Sequence, residues 1–232
     1  MEDFVATLEK EFDSQINQNI NNPLVKLAEQ GGLTLDHLRE IAKQEYFIAP
    51  QEFRHMGLCM ARTGRTPPPG DLLVQRTLLD ILAVFLSDWE AYEEFVQTLG
   101  LTLDDVRKAR VLPGAQYFIS WSHFSGSALD PEQHIAFIYI NWIAWGRACT
   151  NLVRVMNKEK NRFEADKIKF LTLFTYTNDA LNKKMKDVVN QYAKSDENKT
   201  KLRWAVKLGL DAEKMFWNDI ADFGRKSDPF SI

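Results

Sequence analysis

The stretch "IAFIYINWIAWGRACTNLV", residues 135–153, decides how the rest of the chain is read. At 3.6 residues per turn its large apolar side chains, Ile135, Ile138, Tyr139, Trp142, Ile143 and Trp145, spread over more than one face of a helix. A surface helix carries a single apolar stripe, so a helix apolar on several sides has to be surrounded by others. The pattern runs from Asp130 to Asn157 and begins at "DPEQH", a good helix start. It predicts the central helix of a bundle.

The flanking sequence has the same character. From Leu35 to about Arg62 apolar residues fall at Leu38, Ile41, Ala42, Tyr46, Ile48, Phe53, Met56 and Met60, three or four apart. Thr34 and Asp36 stand where side-chain oxygens cap free amides. Pro50 lies inside this pattern and predicts a kink or split there, with a freed carbonyl near Tyr46. "TGRTPPPGD", residues 63–71, reads as a stiff connector between helices. A helix from Asp71 to Leu99 follows, with Gly100 placed for a left-handed C-terminal cap. "LTLDDVRKA" reads as a short helix, and Gly114–Ser125, Arg162–Ala193 and Asp196–Gly224 complete the set. No segment alternates β-branched residues between tight turns as strands do. The fold class is therefore all-α, with seven or eight helices in one domain over residues 1–232.

A formal charge of -3 and a pI near 5.9 give no electrostatic reason to expect nucleic acid or an anionic membrane as partner. The basic run "NKKMK" reads as one charged helix face. Acids occupy "MEDFVATLEKEF" where a secretory signal would be basic and then apolar, and no apolar window is long enough to span a membrane. Two cysteines, Cys59 and Cys149, are too few for a disulfide framework or a four-thiolate metal site. These features point to a reduced, cytoplasmic protein.

"QEFRH" puts Glu52 and His55 at the E-x-x-H spacing used by di-iron bundles, but such a centre needs a second copy, and there is one. His37, His123 and His134 lack a second ligand at helical spacing, so no metal site is expected. Cys149 and Cys59 sit at core spacing and read as small apolar fillers rather than nucleophiles. Acids beside aromatics are more informative. Glu45 adjoins Tyr46 in "KQEYFI", and Glu213 precedes Phe216 and Trp217 by one turn in "DAEKMFWNDI". Tyr117 follows "PGAQ", and Tyr176 lies in "LFTYTND". Aromatic walls with a few carboxylates suit a flat, nitrogen-bearing organic ligand, stacked on rings and oriented by an acid.

"LREIAKQEYFI", "LPGAQYFISW" and "AEKMFW" occur in an order and at spacings that resemble TenA-type proteins over residues 23–222. That family belongs to a superfamily of heme oxygenase-like helical bundles, which also includes pyrroloquinoline-quinone synthase and CADD-type iron oxidases. The resemblance implies that Glu213 is the C-terminal acid–base and ligand-orienting glutamate, and that Glu45 is the N-terminal carboxylate, where aspartate is usual. It implies ligand-binding roles for Tyr46, Tyr117, Trp142, Tyr176 and Trp217, and by analogy a homodimer. The chain departs from the family at the thiol. Laying the family's tryptophan on Trp145 puts Ile143 where the nucleophilic cysteine belongs, and Cys149 falls six residues later. The iron-oxidase ligands are missing too: "LLDILAVFLSDWEAYEEF" has no histidine, and in "FTYTNDALNKKM" Asp179 is flanked by Thr175 and Asn182. Heme is poorly supported, because no histidine precedes His37. The expectation is a cofactor-free TenA-like pocket for a small nitrogen-containing molecule, served by a hydrolase-type chemistry without cysteine or metal. The alternatives are a binding or interaction protein without catalysis, and a cofactor-free oxidase resembling the quinone synthase.

Overall fold

A computed structural model describes residues 3–63, 70–158 and 163–223, and all regular structure among them is helical. α1 (Phe4–Glu11), α2 (Asp13–Ile20) and α3 (Pro23–Glu29) are short. α4 (Leu35–Thr63) and α5 (Gly70–Thr98) are long, and α6 (Leu103–Arg107) is a single turn or so. α7 (Pro113–Ala128), α8 (Pro131–Lys158), α9 (Lys169–Leu173), α10 (Asp179–Tyr192) and α11 (Asp196–Ala221) follow. Eleven α-helices among the described residues exceed the seven or eight read from the sequence, for two reasons. The first 29 residues hold three short amphipathic helices whose two-turn lengths give periodicity little to register. The helix expected over 162–193 is interrupted at Phe174–Asn178: one segment ends at Leu173, and the Asn178 side chain caps the next by accepting from the Leu181 amide. The connector residues 64–69, the expected helix start at Arg162 and the expected end at Gly224 lie outside the described residues.

Several ends form as local chemistry dictates. Gly100 has φ +71°, its amide bonds to the Gln97 carbonyl and that of Leu101 to Val96, which is the paired Schellman closure. Thr102 and Asp105 form a reciprocal capping box on α6. α4 does not split at Pro50 and runs on as one helix from Leu35 to Thr63. Packing on both sides of Pro50 holds the helix together: Ile48 and Met56 are buried, and the Tyr92 hydroxyl donates to the Ala42 carbonyl at 2.6 Å.

α8 is the axis of the molecule, packed by α2, α3, α10 and α11. Its first half, Ile135 to Ala144, belongs to one apolar cluster with α1, α2, α10 and the start of α5. Its second half, Ala148 to Met156, belongs to another with α3, α9 and the ends of α5 and α11. Each fully buried Leu, Ile or Phe in these clusters contributes about 1.5–3 kcal/mol. The two clusters meet around Trp142 and Trp145, and there packing gives way to open space.

Candidate functional site

That space is a hollow of about 610 Å³, counting its mouth. α4 contributes Glu45, Ile48, Ala49 and Glu52, spaced i, i+3, i+4 and i+7, so one helical face carries two acids separated by two turns. α5 contributes Phe85, Asp88 and Tyr92, again one face. α8 supplies Asn141, Trp142 and Trp145, and α11 supplies Glu213 and Phe216. Phe118, Phe170 and Phe174 complete the walls. Close backbone approach sets one wall: a Cβ on Gly114 would lie 2.5 Å from the Met215 carbonyl, so α7 seats directly on α11 one turn before Phe118. The Gly114 amide, donating to Asp219 Oδ2 at 2.6 Å, fixes that contact.

The structure brings Glu45 and Glu213 to the same hollow, and adds Glu52 and Asp88. Glu213 is 1% exposed, and each of its oxygens accepts one hydrogen bond, Oε2 from Asn141 Nδ2 at 2.7 Å and Oε1 from Trp217 Nε1 at 3.2 Å. Burial pushes its carboxyl up to about 8 against the pull of those two donors, with help from the charge of Glu45. Glu45, Glu52 and Asp88 have no hydrogen-bond or ion-pair partner among the described residues. Burial pushes Glu45 up to about 8 and Asp88 to about 6, the charge of Asp88 adding to the shift at Glu45. Burial also raises Glu52 well above the usual carboxylate range, reinforced by Glu45 and Asp88. Burial thus favours the protonated form of these carboxyls, and a cation entering the hollow would favour their ionisation.

The other sequence-predicted residues distribute differently. Trp142 lines the hollow, edge-on to Phe85 at 5.7 Å. Trp217 is fully buried behind the wall, stacked on Trp145 at 4.7 Å and hydrogen-bonded to Glu213, so it holds the acid rather than touching the space. Tyr46 and Tyr117 are corrections. Each neighbours a residue that does line the hollow, Glu45 and Phe118, and one step along a helix is a rotation of about 100°. Tyr46 accordingly packs on Phe47 and Trp89, and Tyr117 is 37% exposed on the surface. Tyr176, 77% exposed, lines a second, outer hollow that adjoins the first.

Glu52 and His55 part company. Glu52 faces the hollow, whereas His55 Nδ1 lies 2.9 Å from His134 Nε2, whose Nδ1 lies 2.8 Å from Ser125 Oγ. None of the four histidines lines the hollow, and among the described residues no three His, Cys, Asp or Glu side chains are grouped to hold a metal ion. Cys149 is fully buried and lines neither hollow, and burial together with Glu45 and Glu213 raises its thiol well above the usual range. Among the described residues no helix is long and apolar enough to cross a membrane.

Helix order, the central α8 and the seat of the hollow can now be set beside known structures. A TenA homologue from Pseudomonas syringae pv. tomato str. DC3000 superposes with a TM-score of 0.80 at 17% identity over 95% of each chain. A domain of unknown function with a heme oxygenase-like fold from Shewanella denitrificans OS217 gives 0.79 at 12% identity over 95% of this chain and 92% of that one. The fold is heme oxygenase-like. A CADD-like protein of unknown function from Nostoc punctiforme PCC 73102 shares it at a TM-score of 0.66 and 13% identity, over 94% and 97% of the two chains. No protein-family model and no curated protein matches the sequence. Likeness at these identities fixes the fold and leaves the chemistry to the side chains of the hollow.

Sequence reading passed over Glu52 as a lining residue, and Asp88 and Asn141 altogether. Each had a signal. Glu52 is seven residues after Glu45, Asp88 stands between Phe85 and Tyr92 on one stripe, and Asn141 is the one amide among the large apolar residues Ile135 to Trp145.

Proposed function

We propose that this chain is a TenA-like pocket protein that binds a small nitrogen-bearing organic molecule and hydrolyses a carbon–nitrogen bond in it by carboxylate acid–base chemistry. The observation that carries this reading is the meeting of Glu45 and Glu213 across one aromatic hollow. Unpartnered carboxylates among aromatic faces favour a cationic or amino-bearing ring, held by charge and by stacking. Glu213 keeps its proton near neutral pH and is held still by Asn141 and Trp217, which suits a general acid. Water adds its oxygen to the carbon, Glu45 takes the proton that water loses, and Glu213 gives its own to the departing nitrogen. Beside a bound cation Glu45 ionises more readily, so it is ready for that role. The buried Cys149 has no part in it.

The test is a screen of aminopyrimidines and arylalkyl amines by thermal shift and product analysis, wild type against Glu213→Gln. A substrate that wild type turns over should be slowed about 10²–10⁴-fold in the variant. Equal rates would end the reading, and saturable binding without product would leave a binding module in place of an enzyme.

A further inference from the structure

The inner hollow does not stand alone. Asp88, Trp142, Trp145 and Phe174 line it and also line the outer hollow, which encloses about 1160 Å³ counting its mouth. The two spaces therefore share one wall, three aromatic rings and a carboxylate. Their charged groups differ. The inner hollow has four carboxylates and no basic side chain. The outer one has Arg147 and Lys186 beside Glu9 and the shared Asp88. Glu9 is already engaged, accepting from the Tyr139 hydroxyl at 2.6 Å and pairing with Lys186 at 3.4 Å. Arg147 has no hydrogen-bond or ion-pair partner among the described residues. One guanidinium is thus left over outside, Glu45 and Glu52 are left over inside, and Asp88 stands on the wall between them.

Unpaired charge of opposite sign on the two sides of an aromatic wall describes a ligand by its complement. We propose that the two hollows are one binding site for an elongated amphoteric molecule, whose basic nitrogen sits among the inner carboxylates and whose anionic end reaches Arg147. The middle of that molecule passes the ring faces of Trp142, Trp145 and Phe174, so an aromatic or flat conjugated spacer fits best. A guanidinium fork takes a carboxylate or a phosphate-type group equally well in geometry, and either would fill the role. Thr150 and Asn182, also on the outer lining, offer neutral hydrogen bonds beside it. This assignment rests on the inner hollow taking the nitrogen end, and it adds the identity of the other end.

Isothermal titration with phenethylamine, its para-carboxylate and its para-phosphonate separates the two. On the wild-type chain at least one of the acids should bind about tenfold more tightly than the parent amine, the contribution of one charge-assisted hydrogen bond at a partly exposed site. Arg147→Gln should remove that advantage while leaving phenethylamine unchanged, and Arg147→Lys should restore part of it. The acid with the larger gain tells which anion the site prefers. Equal affinity for all three compounds, or an advantage that survives Arg147→Gln, would overturn the role of Arg147 and leave the inner hollow as argued. If none of the three binds, the inner hollow does not take amines, and both readings fall.

Discussion

Glu52 and His55 stand one turn apart on α4, and they meet burial in opposite ways. His55 is tied into a chain through His134 to Ser125, whose hydroxyl donates to the Ser122 carbonyl at 2.9 Å. Ser125 has one hydrogen to give, so His134 Nδ1 donates to it and His55 Nδ1 donates to His134 Nε2. That order needs a neutral His134, whose Nε2 accepts, and burial lowers both imidazoles, His134 to about 3. The chain pins α4, α7 and α8 together. Glu52, by contrast, faces the hollow with Glu45 and Asp88, and none of the three has a partner among the described residues. Polar groups buried to hold helices together are paired within the protein. Charges left unpaired around a hollow destabilise the empty fold, so their presence there calls for a ligand that pairs them.

The largest effect is expected on the paired side. His134→Ala strips a partner from both His55 and Ser125 and opens a void where three helices meet, a loss of about 3–5 kcal/mol. Urea unfolding measures it, and a loss below about 1 kcal/mol would mean the chain carries no structural weight. The folded fraction should keep the ligand affinity of wild type.

The unpaired side should behave in reverse, with Glu45→Gln losing ligand and gaining stability at alkaline pH. A carboxyl whose proton affinity is raised in the folded state, here from 4.5 to about 8, contributes stability that is whole below 4.5 and lost as pH climbs to about 8. His134 has the opposite sign, losing stability as pH falls from 6.5 to about 3. Above pH 6.5 the carboxylates of the hollow therefore dominate the balance between the two sites: Glu45 and Glu52 on α4, Asp88 on α5 and Glu213 on α11, with the Tyr92 hydroxyl and Cys149 thiol still protonated. Wild-type Tm should fall between pH 6.5 and 8.5, and Glu45→Gln should flatten that slope. A variant with the wild-type slope would show that Glu45 does not feel the buried charge.

The contrast between paired and unpaired acids is also where sequence reading stopped. Periodicity was enough for α4, α5, α8 and α11, because long amphipathic helices repeat their pattern many times. It was enough for Glu45 and Glu213 because each abuts aromatics. The resemblance named Tyr46 and Tyr117, which stand one residue, about a quarter-turn, from the lining Glu45 and Phe118, and a motif carries no phase to that accuracy. Asp88 was passed over because one acid between Phe85 and Tyr92 gives no local sign that side chains of α8 and α9 complete a hollow around it. The pairing of His55 with His134, 79 positions apart, has no local signature at all.

Cys149 gives the smallest expected effect and the sharpest negative control. Cys149→Ala removes one sulfur atom from a filled core, a loss of about 1 kcal/mol, and should leave ligand affinity and turnover unchanged. A nucleophilic thiol needs thiolate and access, and this one is fully buried among carboxylates that disfavour its ionisation. Six residues of α-helix carry Cys149 about 120° around α8 from Ile143, which does line the outer hollow. Ile143→Cys should therefore react with iodoacetamide in the native state while Cys149 stays inert, read by mass spectrometry of the alkylated peptides. If Cys149 is instead the site that labels, and Cys149→Ala abolishes turnover, α8 is rotated relative to the hollow. In that case sulfur, and not water, attacks the ligand.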